Sequence, residues 1–204
     1  MTEDMIIRRE GAAGFLTLNR PKAIHALTQP MDHAMTEALL AWREDPAVQA
    51  VIIDHSEGRG FCAGGDIAFL RNSALTDGGK SGLKFFYEEY QLNHLLFTYP
   101  KPVVAFMDGI TMGGGVGIAL PCRYRIATEN TTFAMPETGI GLFPDVGGGW
   151  FLPRLPGRTG VWLATTGARI KGADCLALGI ATHFIPSEKL EEVKANILAD
   201  HANL

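Results

Sequence analysis

The chain has 204 residues, of which 47% are hydrophobic and 20% are charged, so it is long enough to bury one sizeable hydrophobic core. Its 18 basic and 22 acidic residues give a net charge of −4 and form no long run of either sign. This pattern argues against a nucleic-acid-binding surface and against a polybasic membrane anchor. We therefore expect a small molecule as the partner, with no nucleic acid and no membrane.

The first ten residues and the cysteines bear on the compartment. Two acids precede the first arginine, and the start lacks the apolar core of a secretory signal. Cys62, Cys122 and Cys175 are far apart and form no CxxC pair, which favours reduced thiols over a disulfide framework or a zinc site. The sequence therefore predicts a soluble cytoplasmic protein without a metal.

Short apolar runs alternate with amphipathic stretches along the whole chain, without a Pro/Ser-rich linker. In chain order the predicted elements are strands over 5–9 and 15–18, a helix over 31–43, a strand over 51–54, a helix from about 67, a helix over 83–97, a strand over 102–106, a helix over 113–120, strands over 123–128 and 184–185, and helices over 161–166, 173–178 and 187–200. Residues 72–82 have loop composition, which predicts a mobile loop. This layout indicates an α/β or mixed fold.

The first informative motif is the pair Gly64-Gly65, which follows the predicted strand over 51–54. Glycines at this point let a substrate oxygen approach backbone N–H groups, and Asp66 can cap the helix that begins near Ile67. Taken alone, the same residues are equally typical of a tight turn with a capping aspartate.

The second motif is the glycine triplet 113–115, directly after the strand over 102–106. It offers bare N–H donors at a helix start. It is not the dinucleotide fingerprint GxGxxG, because the third glycine would fall on Ile118, and no GK[ST] of a P-loop follows. Two such turns together meet the requirement of an oxyanion hole for an acyl carbonyl, which favours acyl transfer or enolate chemistry.

These segments resemble the crotonase (enoyl-CoA hydratase/isomerase) superfamily. The resemblance rests on Phe61-Cys-Ala-Gly-Gly-Asp-Ile67, on Gly113-Gly-Gly, on Leu18-Asn-Arg-Pro-Lys22 and on the segment from Phe133 to Gly148. It implies an α/β crotonase fold, a spiral of ββα units with a helical C-terminal part, in a single domain over 1–204 that lacks the family's further C-terminal helical portion. It also implies that the oxyanion donors are the N–H groups of Gly65 and Gly114. His25 stands where the family often has asparagine.

The acids point to one branch of the superfamily. Hydratases resemble one another in having two catalytic glutamates; this chain has Gly117 at the first position and Glu137 at the second. Asp145 stands where hydratases usually have glycine. This combination is similar to the 3-hydroxyisobutyryl-CoA hydrolases, and the helix with Phe85-Phe-Tyr-Glu-Glu-Tyr90 resembles their helix with a substrate-contacting glutamate, which assigns that contact to Glu89.

Each of these side chains also has a simpler interpretation. Glu89 could be a solvated helix acid, Glu137 a surface acid after proline, and Asp145 a Pro-Asp turn residue. Cys62, between Phe and Ala, is more typical of a small buried residue than of a nucleophile. No GxSxG motif accompanies the histidines, which argues against a Ser-His triad.

The resemblance implies hydrolysis of a 3-hydroxyacyl-CoA thioester in valine catabolism. In this hypothesis Glu137 and Asp145 are catalytic: Glu137 attacks the carbonyl or activates water, and Asp145 orients the water or the substrate hydroxyl. No metal or redox cofactor is needed, and coenzyme A enters as part of the substrate. The alternatives are an enoyl-CoA hydratase or isomerase and a non-catalytic CoA-binding protein. Besides the acyl-CoA substrate, the expected partner is a second copy of the chain in a homo-oligomer or a separate C-terminal segment.

Overall fold

The computed structural model describes residues 2–199, in which two sheets are built from strands that alternate along the chain. The large sheet follows chain order, β1-β2-β3-β5-β7-β10. Its strands are β1 (Met5–Glu10), β2 (Ala13–Leu18), β3 (Ala50–His55), β5 (Val103–Met107), β7 (Tyr124–Ala127) and β10 (His183–Phe184). The pair β1–β2 is antiparallel and every later pair is parallel. Strands β3 and β5 are almost wholly buried, which explains their unbroken apolar sequences.

The small sheet has the order β4-β6-β8-β9. Its strands are β4 (Gly60–Cys62), β6 (Ile110–Met112), β8 (Thr132–Ala134) and β9 (Ile170–Lys171). Each of β4, β6 and β8 directly follows a strand of the large sheet, so the chain steps from one sheet to the other and then returns through helices or loops. This is the spiral of ββα units that the resemblance implies, and the predicted fold class is confirmed.

Eight α-helices connect or cover the sheets within the described residues. They are α1 (Gln29–Arg43), α2 (Ile67–Thr76), α3 (Lys80–Phe97), α4 (Gly114–Ala119), α5 (Gly148–Phe151), α6 (Thr159–Thr166), α7 (Gly172–Ala177) and α8 (Leu190–Ala199). Helix α1 buries Met31, Met35 and Leu39, a helical spacing that turns one face onto the main core. The opposite face of the large sheet packs Phe15, Ile52 and other side chains under α8.

Most predicted elements lie where the sequence indicates, and Asp66 caps α2 by accepting a hydrogen bond from the Phe69 N–H at 3.1 Å. The prediction of a loop over the whole of 72–82 is wrong, because only residues 77–79 lie between helices. Helix α2 runs to Thr76 and α3 begins at Lys80, because polar side chains satisfy the first N–H groups of α3: Asp77 accepts from the Ser81 N–H at 3.2 Å, and the Ser73 hydroxyl accepts from the Gly82 N–H at 2.9 Å. The last predicted helix is a 3-10 turn followed by α8; its end at Asp200 lies outside the described residues.

Candidate active site

Two glycine turns lie side by side at the base of a cavity. Gly64 has φ 114°, and a Cβ there would lie 3.5 Å from the amide nitrogen of Gly114. A Cβ on Gly114 would lie 3.2 Å from the amide nitrogen of Gly65. The structure therefore brings the two predicted oxyanion donors together from separate elements of the fold.

Both amides are available to a ligand. Gly114 is the first residue of α4, where a helix N–H has no intrahelical acceptor. In the network of hydrogen bonds formed by residues 2–199, neither the Gly65 N–H nor the Gly114 N–H donates to a backbone carbonyl. Two free donors that converge on one point can stabilise negative charge on a carbonyl oxygen.

Glu137 begins a short 3-10 turn, Glu137–Ile140, directly after Pro136. It is only 6% exposed, so the interpretation as a surface acid is wrong. Its Oε1 lies 3.3 Å from the point that a Cβ on Gly113 would occupy, and within the described chain neither carboxylate oxygen accepts a well-formed hydrogen bond. Burial, with the charge of Asp145 acting in the same direction, raises the pKa of Glu137 to about 7. A carboxyl group with this pKa is suited to proton transfer at neutral pH.

Glu89 lies on α3 with 2% of its surface exposed, so it is not a solvated helix acid. Its neighbour Glu88 has that more open position and bonds to Gln29 and His33 at the end of α1. Oε1 of Glu89 fills the space beside Gly114 so closely that any Cβ there would collide with it. Burial, and after it the charges of Asp32, Asp145 and Glu137, hold the pKa of Glu89 well above its ordinary value.

Asp145 lies in the loop after the Glu137 turn and faces α3. Its Oδ2 accepts a hydrogen bond of 2.6 Å from the hydroxyl of Tyr90. Burial raises the pKa of Asp145, and the Tyr90 bond opposes this shift because it favours the charged form. Asp145 is therefore bonded across to another element of the site rather than only to its own turn.

All five predicted site residues line one cavity of about 290 Å³. They are Gly65, Glu89, Gly114, Glu137 and Asp145. Gly117 is buried in α4 and carries no acid into this space. A larger apolar groove of about 680 Å³ opens beside the cavity and shares Asp145 with it. The roles of these residues stay predictions, but their convergence is a property of the fold.

Two other side chains, those of Cys62 and His25, form contacts that hold the surrounding loops. Cys62 is completely buried, its thiol donates to the carbonyl of His25 at 3.1 Å, and burial raises its pKa to about 12, so it is no nucleophile at neutral pH. The His25 ring accepts from the Arg20 N–H at 2.9 Å and bonds to the Glu57 carbonyl at 2.8 Å. His25 therefore ties two loops together.

Sequence reasoning missed three polar residues near the cavity. Tyr90 adjoins Glu89 in the motif that points to α3, and this adjacency was the available signal. Asn93, one helical turn beyond Glu89, is 7% exposed, and neither its amide nitrogen nor its oxygen has a partner among the described residues. Asp32 is 1% exposed and likewise unpartnered; its spacing with Met35 and Leu39 puts it on the buried face of α1. Burial, and secondarily the charge of Glu88, raises the pKa of Asp32 to about 8.

Residues 2–199 contain no cluster of three or more His, Cys, Asp or Glu side chains arranged to hold a metal ion. In the same part of the chain no helix is both long enough and apolar enough to cross a membrane.

The enoyl-CoA hydratase/isomerase family model matches residues 13–203. The mitochondrial 3-hydroxyisobutyryl-CoA hydrolase of Xenopus tropicalis is 52% identical over 200 residues, which cover 96% of this chain and 51% of that protein. The human mitochondrial hydrolase of the same name is 49% identical, over 97% of this chain and 51% of its own length. The chain thus spans about half the length of these curated relatives. A carnitinyl-CoA dehydratase structure from Mycobacterium thermoresistibile superimposes with a TM-score of 0.94 at 46% identity, covering 98% of this chain and 58% of that one.

Proposed function

The chain belongs to the enoyl-CoA hydratase/isomerase family, and from this membership we propose that it hydrolyses a 3-hydroxyacyl-CoA thioester, converting 3-hydroxyisobutyryl-CoA to 3-hydroxyisobutyrate and CoA. The observation that carries the proposal is the set of acids: Glu137 and Asp145 share a cavity with two oxyanion donors, while position 117 is glycine. The relatives named as 3-hydroxyisobutyryl-CoA hydrolases support the same substrate, and with it a role in valine catabolism.

In the proposed reaction the thioester carbonyl oxygen binds between the N–H groups of Gly65 and Gly114. These amides stabilise the negative charge that develops on the oxygen when the acyl carbon is attacked. Loss of one such donor costs about 3–4 kcal/mol of transition-state stabilisation. Because both donors are backbone groups, they need no rearrangement as the charge forms.

Glu137 drives the hydrolysis in its ionised form, by one of two routes. It attacks the acyl carbon and expels the CoA thiolate, giving an anhydride that water then cleaves, or it removes a proton from a water that attacks directly. A single turnover in ¹⁸O-labelled water, followed by mass spectrometry of the peptide with Glu137, tests the anhydride route, because label in the Glu137 carboxylate arises only when water cleaves the anhydride at Glu137. Water can also cleave the anhydride at the substrate acyl carbon, so turnover is repeated with borohydride, which reduces an anhydride at Glu137 to an alcohol. The absence of both label and reduction at Glu137 indicates general-base catalysis.

The other two acids act on the substrate hydroxyl and on water. Burial raises the pKa of Glu89 well above its ordinary value and so favours its protonated form, which can donate a hydrogen bond to the 3-hydroxyl oxygen. Asp145 uses one oxygen for the Tyr90 hydroxyl, which leaves the other for the water or for the substrate hydroxyl. This division of roles favours 3-hydroxyacyl groups over plain acyl groups.

The test is a turnover assay of this chain alone. We expect release of free thiol from 3-hydroxyisobutyryl-CoA and no loss of the enoyl absorbance of crotonyl-CoA. Rapid hydration of crotonyl-CoA would contradict the hydrolase and support a hydratase, the activity for which several similar structures are named. Tight binding of CoA esters without turnover of either would instead support a non-catalytic CoA-binding protein.

Partners and location belong to the same proposal. We propose an assembly with a second copy of the chain, and light scattering of the purified chain measures its mass in solution. A cytoplasmic location stays a prediction from the sequence. The vertebrate relatives are named as mitochondrial, so recovery of the protein with mitochondria in a fractionation would contradict it.

A further inference from the structure

Val146 occupies the space that a side chain at position 117 would need. A Cβ built on Gly117 would lie 2.6 Å from the Cβ of Val146, 3.0 Å from its Cγ1 and 3.0 Å from Nδ2 of Asn93. Separations below 3.0 Å between such atoms force one of them to move. Val146 is only 4% exposed and lines the larger apolar groove, so a side chain at position 117 would push it out of its place toward that groove. The loop with Asp145 therefore packs on α4 in this way only because residue 117 has no side chain.

The backbone at Val146 is also unusual. Its φ of 41° is in the left-handed region, which a β-branched residue rarely adopts, and Gly147 follows with φ 90°. The Asp145 carbonyl accepts from the Gly148 N–H at 2.5 Å, which closes a tight turn around Val146. A strained conformation of this kind persists where the surrounding packing holds it. Here the packing against Gly117 holds a turn whose preceding residue directs its carboxylate at the Tyr90 hydroxyl, 2.6 Å away.

We propose that Val146 is a positioning residue for Asp145. It can pack in this position only because Gly117, which it contacts, has no side chain. The absence of an acid at position 117 is then a structural requirement for the acid at position 145. A side chain at 117 displaces Val146, and with it Asp145, so that a carboxylate cannot be restored at 117 while Asp145 keeps its place. This inference rests on the proposed function for its catalytic meaning, because Asp145 is the residue through which Val146 acts.

The first experiment measures thiol release from 3-hydroxyisobutyryl-CoA by Gly117→Ala. We expect a loss of about 10²-fold in kcat, close to that of Asp145→Gly, which sets the scale for losing the acid. Gly149→Ala is the matched control: it adds the same methyl group four residues after Asp145, where a Cβ meets nothing within 4 Å. Full activity in Gly117→Ala would overturn the proposal.

Coupling separates positioning from general damage. In an Asp145→Gly background, Gly117→Ala should change the rate less than about threefold, since the residue it acts through is already gone. The double variant Gly117→Ala/Val146→Gly should stay as slow as Gly117→Ala, since it removes the collision together with the side chain that holds the turn. A full second loss in the Asp145→Gly background would mean that Gly117→Ala only damages the fold, and recovery of the full rate in the double variant would mean that Val146 does not position Asp145.

Two further measurements keep the result decisive. If Gly117→Ala shows no cooperative thermal unfolding transition, Val146→Ala replaces it, because it removes only two methyl groups. Val146→Ala should then show the same relative rates on 3-hydroxyacyl and plain acyl thioesters as Asp145→Gly. If the unmodified chain hydrolyses no thioester, the proposed function fails by itself. The positioning claim is then decided by a crystal structure of Gly117→Ala or Val146→Ala. Retention of the Tyr90–Asp145 hydrogen bond in it would overturn the inference, and its loss would support it.

Discussion

The base and the wall of the same cavity are held in place by different means. The base consists of the glycine turns that carry Gly65 and Gly114, whose amides are fixed by backbone geometry and by the absence of side chains. The wall consists of the carboxyl groups of Glu89, Glu137 and Asp145, of which the two glutamates are buried with unpartnered oxygens in the described structure. Burial without a partner is unfavourable for a charge, and it is this cost that raises their pKa values. The base is thus preorganised by shape, and the wall is tuned by electrostatics.

The largest expected effect comes from changing the wall without changing its shape. Glu137→Gln keeps the volume of the side chain but can neither attack nor accept a proton, so hydrolysis should fall by about 10⁴-fold. Binding of a CoA thioester, measured by calorimetry, should change little. Glu188→Gln, at an exposed position, is the control. Retention of most of the rate would exclude Glu137 from the chemistry.

The same group predicts the pH profile. A Glu137 with pKa about 7 that must be ionised gives a rate that is low below pH 6 and rises through pH 7 to a plateau. The profile of kcat/KM for 3-hydroxyisobutyryl-CoA measures this directly. A rate already maximal at pH 5 would show that Glu137 is not the titrating group.

Changing the base tests shape rather than charge. In Gly114→Ala the new methyl collides with Oε1 of Glu89 and crowds the Gly65 amide, so hydrolysis should fall by about 10²–10³-fold. Gly149→Ala again serves as the control for the added methyl. An active Gly114→Ala enzyme would mean that the carbonyl does not bind between these two amides.

A smaller effect should follow from Tyr90→Phe, which removes one hydrogen bond from the wall. Loss of a bond to a charged group costs about 1.5 kcal/mol, or about tenfold in rate. Because the Tyr90 bond lowers the pKa of Asp145, its removal should move the titration of Asp145 to higher pH. Carbon-13 NMR of labelled aspartate, with Asp145→Asn for assignment, measures that movement. An unchanged titration would show that the bond does not form in solution.

The smallest effect on rate, but a clear one on stability, is expected from Asp32→Asn behind the wall. The pKa of Asp32 is raised from 3.8 to about 8, so the folded state holds its proton more tightly than the unfolded chain does. Its stabilising contribution is full below pH 4 and is lost as the pH rises through 8. The free energy of unfolding should therefore decline over this range in the unmodified chain. At about 1.4 kcal/mol for each pH unit between 5 and 8, Asp32→Asn should remove on the order of 4 kcal/mol of that decline between pH 5 and pH 9.

Urea unfolding at pH 5 and at pH 9 makes the comparison. Glu37→Gln, at an exposed position of the same helix α1, should leave the pH dependence unchanged. An equal decline in Asp32→Asn and in the unmodified chain would assign the pH dependence to other groups.

The sequence predicted the residues of the base and of the wall better than the contacts that support the wall from behind. Gly65, Gly114, Glu137 and Asp145 stand in local motifs that resemble those of the family, and this resemblance indicated them. The burial of Asp32 and the bond between Tyr90 and Asp145 arise from the packing of α1 and of the Asp145 loop on α3, which local spacing does not record.

The small sheet was missed for a related reason. Its strands β4, β6 and β8 have three residues each, too few for an alternating pattern to appear. The predicted loop over 72–82 failed because Ser73 and Asp77 accept hydrogen bonds from the first N–H groups of α3 with the same side chains that favour loops. Residue type alone does not distinguish the two uses.

The strand order of the large sheet has a consequence for how the protein is made. Because β2, β3, β5, β7 and β10 each pair with the strand that precedes them in this sheet, every new strand can add to an edge already formed while the chain leaves the ribosome. The sheet grows in the direction of synthesis. The candidate cavity, however, draws on residues from Ala63 to Asp145, so the nascent chain has a folded sheet edge well before it has the complete cavity.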